Sequence, residues 1–226
     1  MLVYVYNKDK EKIEKYDLAP GDPMPYISDK YLTVDEFRGS SNSPLLWSDK
    51  RTLQTFNNFR KYYGKPIPVG FAFKRIWEGG HGTQSQHYAG MAFDTGQALS
   101  PEERDKLHQA AVRFGEWSYV EPKSMTPTWV HFDKRLAPPA CPGGGYISLS
   151  PGMKGVYVLV LQDALAALGY TAGGLDGVFG KGTKDAVMDF QKANGLKPDG
   201  IVGCGTWTAL ATKAKGIGKT PTVILP

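Results

Sequence analysis

Apolar positions in the first 135 residues recur with two different periods. In "DKRTLQTFNNFRKYYG" Leu53, Phe56, Phe59 and Tyr63 fall at helical spacing and Gly64 marks the stop, which predicts a helix with one buried face. "KPIPVGFAFKRIW" alternates instead and predicts a strand. In "SPEERDKLHQAAVRFGEW" Ser100 is placed to cap a helix, Pro101 to open it and the acids to fill its first turn. Its inward face is Leu107, Ala110, Ala111 and Phe114. "TWVHFD" returns to alternation, so Trp129, His131 and Asp133 share one face of a short strand. Helices mixed with strands predict an α+β unit.

The pattern breaks at "RLAPPACPGGGYISLSPG", residues 135–152, where Pro and Gly crowd together without either period. Beyond it the chain turns Ala/Leu/Gly-rich. "GMKGVYVLVLQDALAALGY" predicts an amphipathic helix closed by Gly169. "LDGVFGKGTKDAVMDFQKANGL" then gives a turn and a second helix, with Thr183 near its start and Ala186, Val187 and Phe190 inward. "PDGIVGCGTWTALATKA" repeats that plan around Thr206 and predicts a third helix. The expected division is an α+β domain over 1–136, a linker over 137–150, a small all-α three-helix domain over 151–213 and a tail over 214–226.

Composition narrows the partners only slightly. The 226 residues carry a net charge of +5 and an isoelectric point near 9.0, with 41% hydrophobic and 22% charged residues. A basic surface suits an anionic polymer. The Lys and Arg residues alternate with acids and form no block of five, so nucleic acid is not the expected partner. No run approaches the roughly eighteen apolar residues of a membrane span. The apolar burst in "MLVYVYNKDKEK" lacks a preceding basic region and does not read as a signal peptide. A monomer is expected. Cys141 and Cys204 are compatible with one bridge or with two free thiols.

Four histidines are available for chemistry: His81, His87, His108 and His131. His108 lies among charged helix residues and reads as solvated. His81, in "EGGHGTQSQ", reads as a plain loop residue. In "SQHYAGMAFDTG" the small residues Gly90 and Ala92 let the chain fold back and aim Asp94 toward His87. On the downstream strand His131 and Asp133 stand about 7 Å apart. That suits a metal ligand with a supporting carboxylate. A hydrogen-bonded core histidine with a turn aspartate fits the same spacing.

"SQHYAGMAFD" resembles the S-x-H-x-x-G-x-A-x-D signature of the zinc D-alanyl-D-alanine carboxypeptidases and related wall endopeptidases, at Ser85, His87, Gly90, Ala92 and Asp94. The similarity runs over roughly residues 33–135. It implies a zinc peptidase fold with Zn²⁺ held by His87 and Asp94, and by His131 as the third ligand in "TWVHFD". It also implies a carboxylate that moves protons. The family often places one three residues before the last histidine, where this chain has Thr128. Glu121, Asp133 and then Glu116 are the alternatives. The resemblance implies an upstream cation for a substrate carboxylate, loosely matched by Arg75 or Lys74, and gives Ser85 a hydrogen bond to the substrate backbone.

Residues 152–212, with "LQ", "LGY", "DGVFG", "FQ", "DGIVG" and "TW", resemble the bacterial peptidoglycan-binding domain. Together the two resemblances imply a zinc peptidase that cuts the stem peptide or cross-link of peptidoglycan, as carboxypeptidase, endopeptidase or endolysin. The second domain would hold it on the bacterial cell wall. The alternative is a wall-binding protein with a structural metal and no catalysis.

Overall fold

The computed structural model describes residues 1–28, 31–215 and 217. Of the expected tail, all but Ala214, Lys215 and Ile217 lies outside the described residues. The chain forms two compact units. One comprises Met1–Asn7, Glu14–Phe73 and Gly90–Arg135; the other comprises Lys8–Ile13, Lys74–Ala89 and the chain from Leu136 on. Among the described residues the fold is mixed α/β, with two small sheets and six α-helices.

The first unit contains a sheet that the alternation does not reveal. Strands β1 (Leu2–Asn7), β2 (Lys12–Asp17) and β3 (Leu45–Asp49) lie in the order β2-β1-β3, and β1 runs parallel to β3. The expectation of a single antiparallel sheet is therefore corrected. A strand covered on both faces shows a continuous apolar run rather than alternation, and Val3, Tyr4 and Val5 are all buried. Helix α1 (Val34–Arg38) starts at a Thr33/Glu36 capping box. Helix α2 (Lys50–Tyr63) leaves β3 directly, capped by the Asp49 carboxylate, which accepts from the Arg51 amide at 2.8 Å, and it stops at left-handed Gly64. Helix α3 (Pro101–Phe114) starts at the Ser100/Glu103 capping box.

The second sheet is antiparallel: β4 (Val69–Phe71), β5 (Ala92–Thr95), β6 (Tyr119–Val120) and β7 (Val130–Asp133), in the order β4-β5-β7-β6. The strand expected across "KPIPVGFAFKRIW" shrinks to the three residues of β4. Pro66 and Pro68 have no amide to donate to a ladder. Downstream, a 3-10 turn at Ile76–Glu78 is held by the Glu78 carboxylate, which accepts from the Arg75 amide at 2.7 Å. Alternation along β5 and β7 sends Phe93 and Phe132, a cross-strand pair, into an aromatic core with Phe59 and Trp117. It sends Asp94 and His131, the next pair in register, to the opposite face.

The second unit packs helices α4 (Val156–Ala167), α5 (Lys181–Ala193) and α6 (Cys204–Lys215). Helix α4 is not amphipathic as expected: every residue from Val156 to Leu165 is buried. A helix that is apolar all round must be covered all round. Helices α5 and α6 cover part of it, and the 3-10 turns Ile76–Glu78 and Gln86–Ala89 pack on it as well.

The echo seen in the sequence is built on two buried glutamines. The Gln162 amide nitrogen donates to Asp176 Oδ1 (2.7 Å), the Val178 carbonyl (3.1 Å) and Thr183 Oγ1 (3.1 Å), while its oxygen accepts from the Gly177 amide (2.9 Å). Gln191 repeats each bond with Asp199 (3.1 Å), Ile201 (2.9 Å), Thr206 (3.1 Å) and the Gly200 amide (2.9 Å). Each glutamine thus ties one Asp-Gly turn to the start of the helix that follows it. Cys141 and Cys204 form a disulfide, which resolves the open choice. In the same Pro/Gly-rich segment Tyr146 is fully buried and Leu149 bridges to Val202.

Candidate metal centre

The face of the antiparallel sheet that carries the candidate ligands is set by register. Asp94 stands directly opposite His131, and the His131 Nδ1 lies 2.7 Å from Asp94 Oδ1. On its other side His131 Nε2 lies 3.2 Å from Asp133 Oδ2. Asp133 is fully buried and is gripped by Arg135, whose Nε donates at 2.8 and 2.9 Å to its two oxygens and whose backbone amide donates at 3.0 Å. The Arg135 guanidinium also lies over the Tyr119 ring at 4.0 Å.

The electrostatics follow from this chain of charges. Burial works against the His131 imidazolium, but hydrogen bonds to Asp133 and Asp94 outweigh it and raise its pKa to about 9. Burial likewise works to raise the Asp133 carboxyl, yet the bonds from Arg135 and His131 hold it below the usual carboxylate range. Without a metal, His131 is therefore a cation between two carboxylates at neutral pH.

His87 is buried in the 3-10 turn Gln86–Ala89, and its amide donates to Ser85 Oγ at 3.3 Å. Its ring lies 4.5 Å from that of His81. His81 is thus not the plain loop residue expected. The Tyr88 hydroxyl accepts from the His81 amide at 3.1 Å and donates to its carbonyl at 3.3 Å, closing the Gly-rich loop on itself. A signal that could have found this closure is Tyr88, one step from His87, since a tyrosine hydroxyl requires a partner once its ring is buried.

Gly90, between His87 and Asp94, has φ +65°, and a Cβ there would lie 1.9 Å from the Trp47 carbonyl oxygen. Its own carbonyl accepts from Ser48 Oγ at 2.7 Å. The signature glycine is where the backbone leading into β5 presses against β3.

Glu121 follows β6, and its amide donates to the His131 carbonyl at 2.9 Å. It is next in the β6–β7 register, which makes it the neighbour of His131 on the face that carries Asp94. Its carbonyl lies 2.9 Å from His108 Nε2, so His108 is half-buried and bonded rather than solvated. Glu116 is exposed. The Arg75 guanidinium is 2% exposed and pairs with Asp163, Nε to Oδ2 at 2.9 Å. The Ser85 hydroxyl serves the His87 amide, and its carbonyl accepts from the Tyr146 hydroxyl at 2.7 Å.

Residues 154–210 match the family described as "Putative peptidoglycan binding domain". An N-acetylmuramoyl-L-alanine amidase of Bacillus licheniformis is 44% identical over 80 residues, which cover 33% of this chain and 22% of that protein. A spore cortex-lytic enzyme of Bacillus subtilis is 46% identical over 65 residues, 28% of this chain and 21% of that one. An uncharacterized protein of Kitasatospora aureofaciens is 42% identical over 83 residues, 34% of this chain and 70% of its own length. The chain belongs to this family of peptidoglycan-binding-domain proteins. It spans less than a quarter of the length of the amidases it matches. Among the described residues no helix is long and apolar enough to cross a membrane.

Proposed function

We propose that this chain is a peptidoglycan hydrolase of the zinc carboxypeptidase or endopeptidase class, acting at the bacterial cell wall. In this reading residues 1–136 carry the chemistry and residues 151–213 hold the polymer. The observation that carries it is the cross-strand pairing of Asp94 with His131, two of the expected ligands, on one face of the antiparallel sheet. Two or more imidazoles with one carboxylate is a donor set suited to zinc. Relatives named as a wall amidase and a cortex-lytic enzyme support a hydrolase.

In this proposal His87, Asp94 and His131 hold the ion. Zinc would polarise the scissile carbonyl and make water a nucleophile at neutral pH. Asp133, already bonded to His131 and neutralised by Arg135, orients the imidazole. Glu121 is the first candidate for moving the proton from water to the leaving amine, because it stands beside His131 on the same face. Asp133 is the second candidate; its carboxylate is already engaged. Ser85 supports the His87 backbone and offers the substrate a hydroxyl. Arg75 as the holder of a substrate carboxylate would have to share a guanidinium that Asp163 already occupies.

Digestion of purified walls, with mass spectrometry of the released fragments, tests the reaction and names the bond. Metal analysis of the full chain tests the ion, and His131→Ala is expected to lose both zinc and cleavage. Cleavage by metal-free His131→Ala would refute the mechanism.

One observation favours the alternative of a structural metal without catalysis. The His81 ring lies 4.5 Å from that of His87, and a fourth protein ligand from His81 would close the shell, as in structural zinc sites. His81→Ala separates the readings. It opens a position and leaves cleavage intact or faster if the site is catalytic, and it loosens zinc with no cleavage in either form if the site is structural.

A further inference from the structure

Asp163 is a buried carboxylate in the middle of a helix that is otherwise almost wholly apolar. A buried charge needs a counter-charge, and its partner lies 88 residues earlier in the chain. Arg75 Nε donates to Asp163 Oδ2 at 2.9 Å, and the Trp77 indole donates to Oδ1 at 3.2 Å. At the start of the same helix the Tyr157 hydroxyl donates to Gln86 Oε1 at 2.8 Å. Gln86 is the residue before His87, and its amide nitrogen donates to the Gly145 carbonyl at 3.2 Å. All of these groups belong to the second unit. The segment Lys74–Ala89, which bears His81 and His87, is therefore pinned at both ends to the helix that opens the peptidoglycan-binding match.

We propose that Asp163 and Tyr157 are positioning residues for the candidate ligand His87 and for His81 beside it, so that helix α4 of the peptidoglycan-binding match also supports the segment that bears them. The inference rests on the metal reading given above. Asp163 fixes Arg75 and Trp77 where the segment enters, and Tyr157 fixes Gln86 where it leaves. Between those two points the ligand loop adds its own Tyr88 closure. The consequence is that the peptidoglycan-binding part is not a detachable anchor. A chain cut at the Pro/Gly-rich segment would lose the scaffold of His81 and His87 as well as its grip on the wall.

The test uses the full chain with Asp163→Asn and, separately, Tyr157→Phe, which removes one hydroxyl and preserves packing. Zinc affinity is read by competition with a chromophoric chelator, and amide hydrogen exchange is followed in metal-free protein. Zinc affinity is expected to fall about 10- to 100-fold, as for other groups that orient metal ligands. Exchange is expected to accelerate at least about tenfold over residues 81–89 while α5 and α6 keep their protection. Unchanged exchange and affinity in both variants would overturn the proposal, and so would uniform acceleration across α4, α5 and α6, which marks a merely structural role. If the unsubstituted chain takes up no zinc, the metal reading fails. The exchange pattern then decides the positioning by itself: selective loosening of 81–89 upholds it and unchanged protection refutes it.

Discussion

Replacing Gly90 by Ala isolates the close approach on which the segment bearing the candidate metal ligands depends. Two costs add. The first is conformational: a Cβ at φ +65° costs about 1–2 kcal/mol relative to glycine. The second is steric. The new Cβ would sit 1.9 Å from the Trp47 carbonyl oxygen and 3.2 Å from the Ser48 Cα, both backbone atoms of β3 that cannot swing aside. Relief requires β3 and the turn before β5 to part by roughly 1 Å or more, given ordinary contact distances of about 3.5 Å. That sacrifices the 2.7 Å bond from Ser48 Oγ to the Gly90 carbonyl and loosens packing around buried Trp47. We expect a total of roughly 3–5 kcal/mol, in the range of strained or overpacked core substitutions.

The control is Gly64→Ala at the end of α2. Gly64 has nearly the same φ, +69°, but nothing lies within 4 Å of the point where its Cβ would stand. It carries the conformational cost alone, about 1 kcal/mol. Thermal unfolding of both variants, followed by far-ultraviolet circular dichroism, gives the difference directly. For a chain of this size the Gly90 variant should melt roughly 6–20 °C below the parent and the Gly64 variant only about 2–4 °C below it. Equal destabilisation of the two would refute the argument that contact with β3, rather than backbone conformation, requires glycine at this signature position.

Three further outcomes are expected. Gln162→Ala and Gln191→Ala each strand buried partners of four hydrogen bonds, so each should cost about 2–4 kcal/mol by thermal or urea unfolding, and their similarity is the check on the repeat. Joint replacement of Cys141 and Cys204 by Ser should cost about 4 kcal/mol, because the bridge closes a loop with a sequence separation of 63; a loss under about 1 kcal/mol would contradict that loop-closure argument. In metal-free protein the His131 imidazole should titrate near pH 9 by nuclear magnetic resonance. Its folded pKa stands above its unfolded value of about 6.5, so its contribution, at most about 3 kcal/mol, is fully present below pH 6.5 and is lost as pH rises through 9. Asp133→Asn should bring that midpoint down.

Local signals carried the helices because caps and stops are short-range: Asp49 and Gly64 bound α2, and Ser100 and Pro101 open α3. Alternation carried β7 but stretched β4 too far, since the period continues past the point where prolines deny the ladder its donors. Strand β1 escaped because double-sided burial erases alternation. At the candidate site, the pairing of Asp94 with His131 is a matter of register between strands 37 residues apart, which residue types announce only through the motif. His81 was missed for a related reason. A glycine-rich stretch reads as loose, and what closes it on His81 is a hydroxyl seven residues on.

Helix α4 shows most sharply how sequence alone understated its bonds to the Lys74–Ala89 segment. Its two adjacent polar residues have different partners. Gln162 bonds inside its own three-helix fold, and any chain with that fold has a use for it. Asp163 bonds outside the region that matches the peptidoglycan-binding family, to Arg75 and Trp77. A carboxylate on an apolar helix face is a burden to an independent binding domain, because desolvating it costs several kcal/mol that only a well-placed counter-charge recovers. Its presence in α4 is therefore physical grounds for treating the Lys74–Ala89 segment as part of the same folded body. In that body, strengthening the binding fold and holding His81 and His87 in place are one process rather than two.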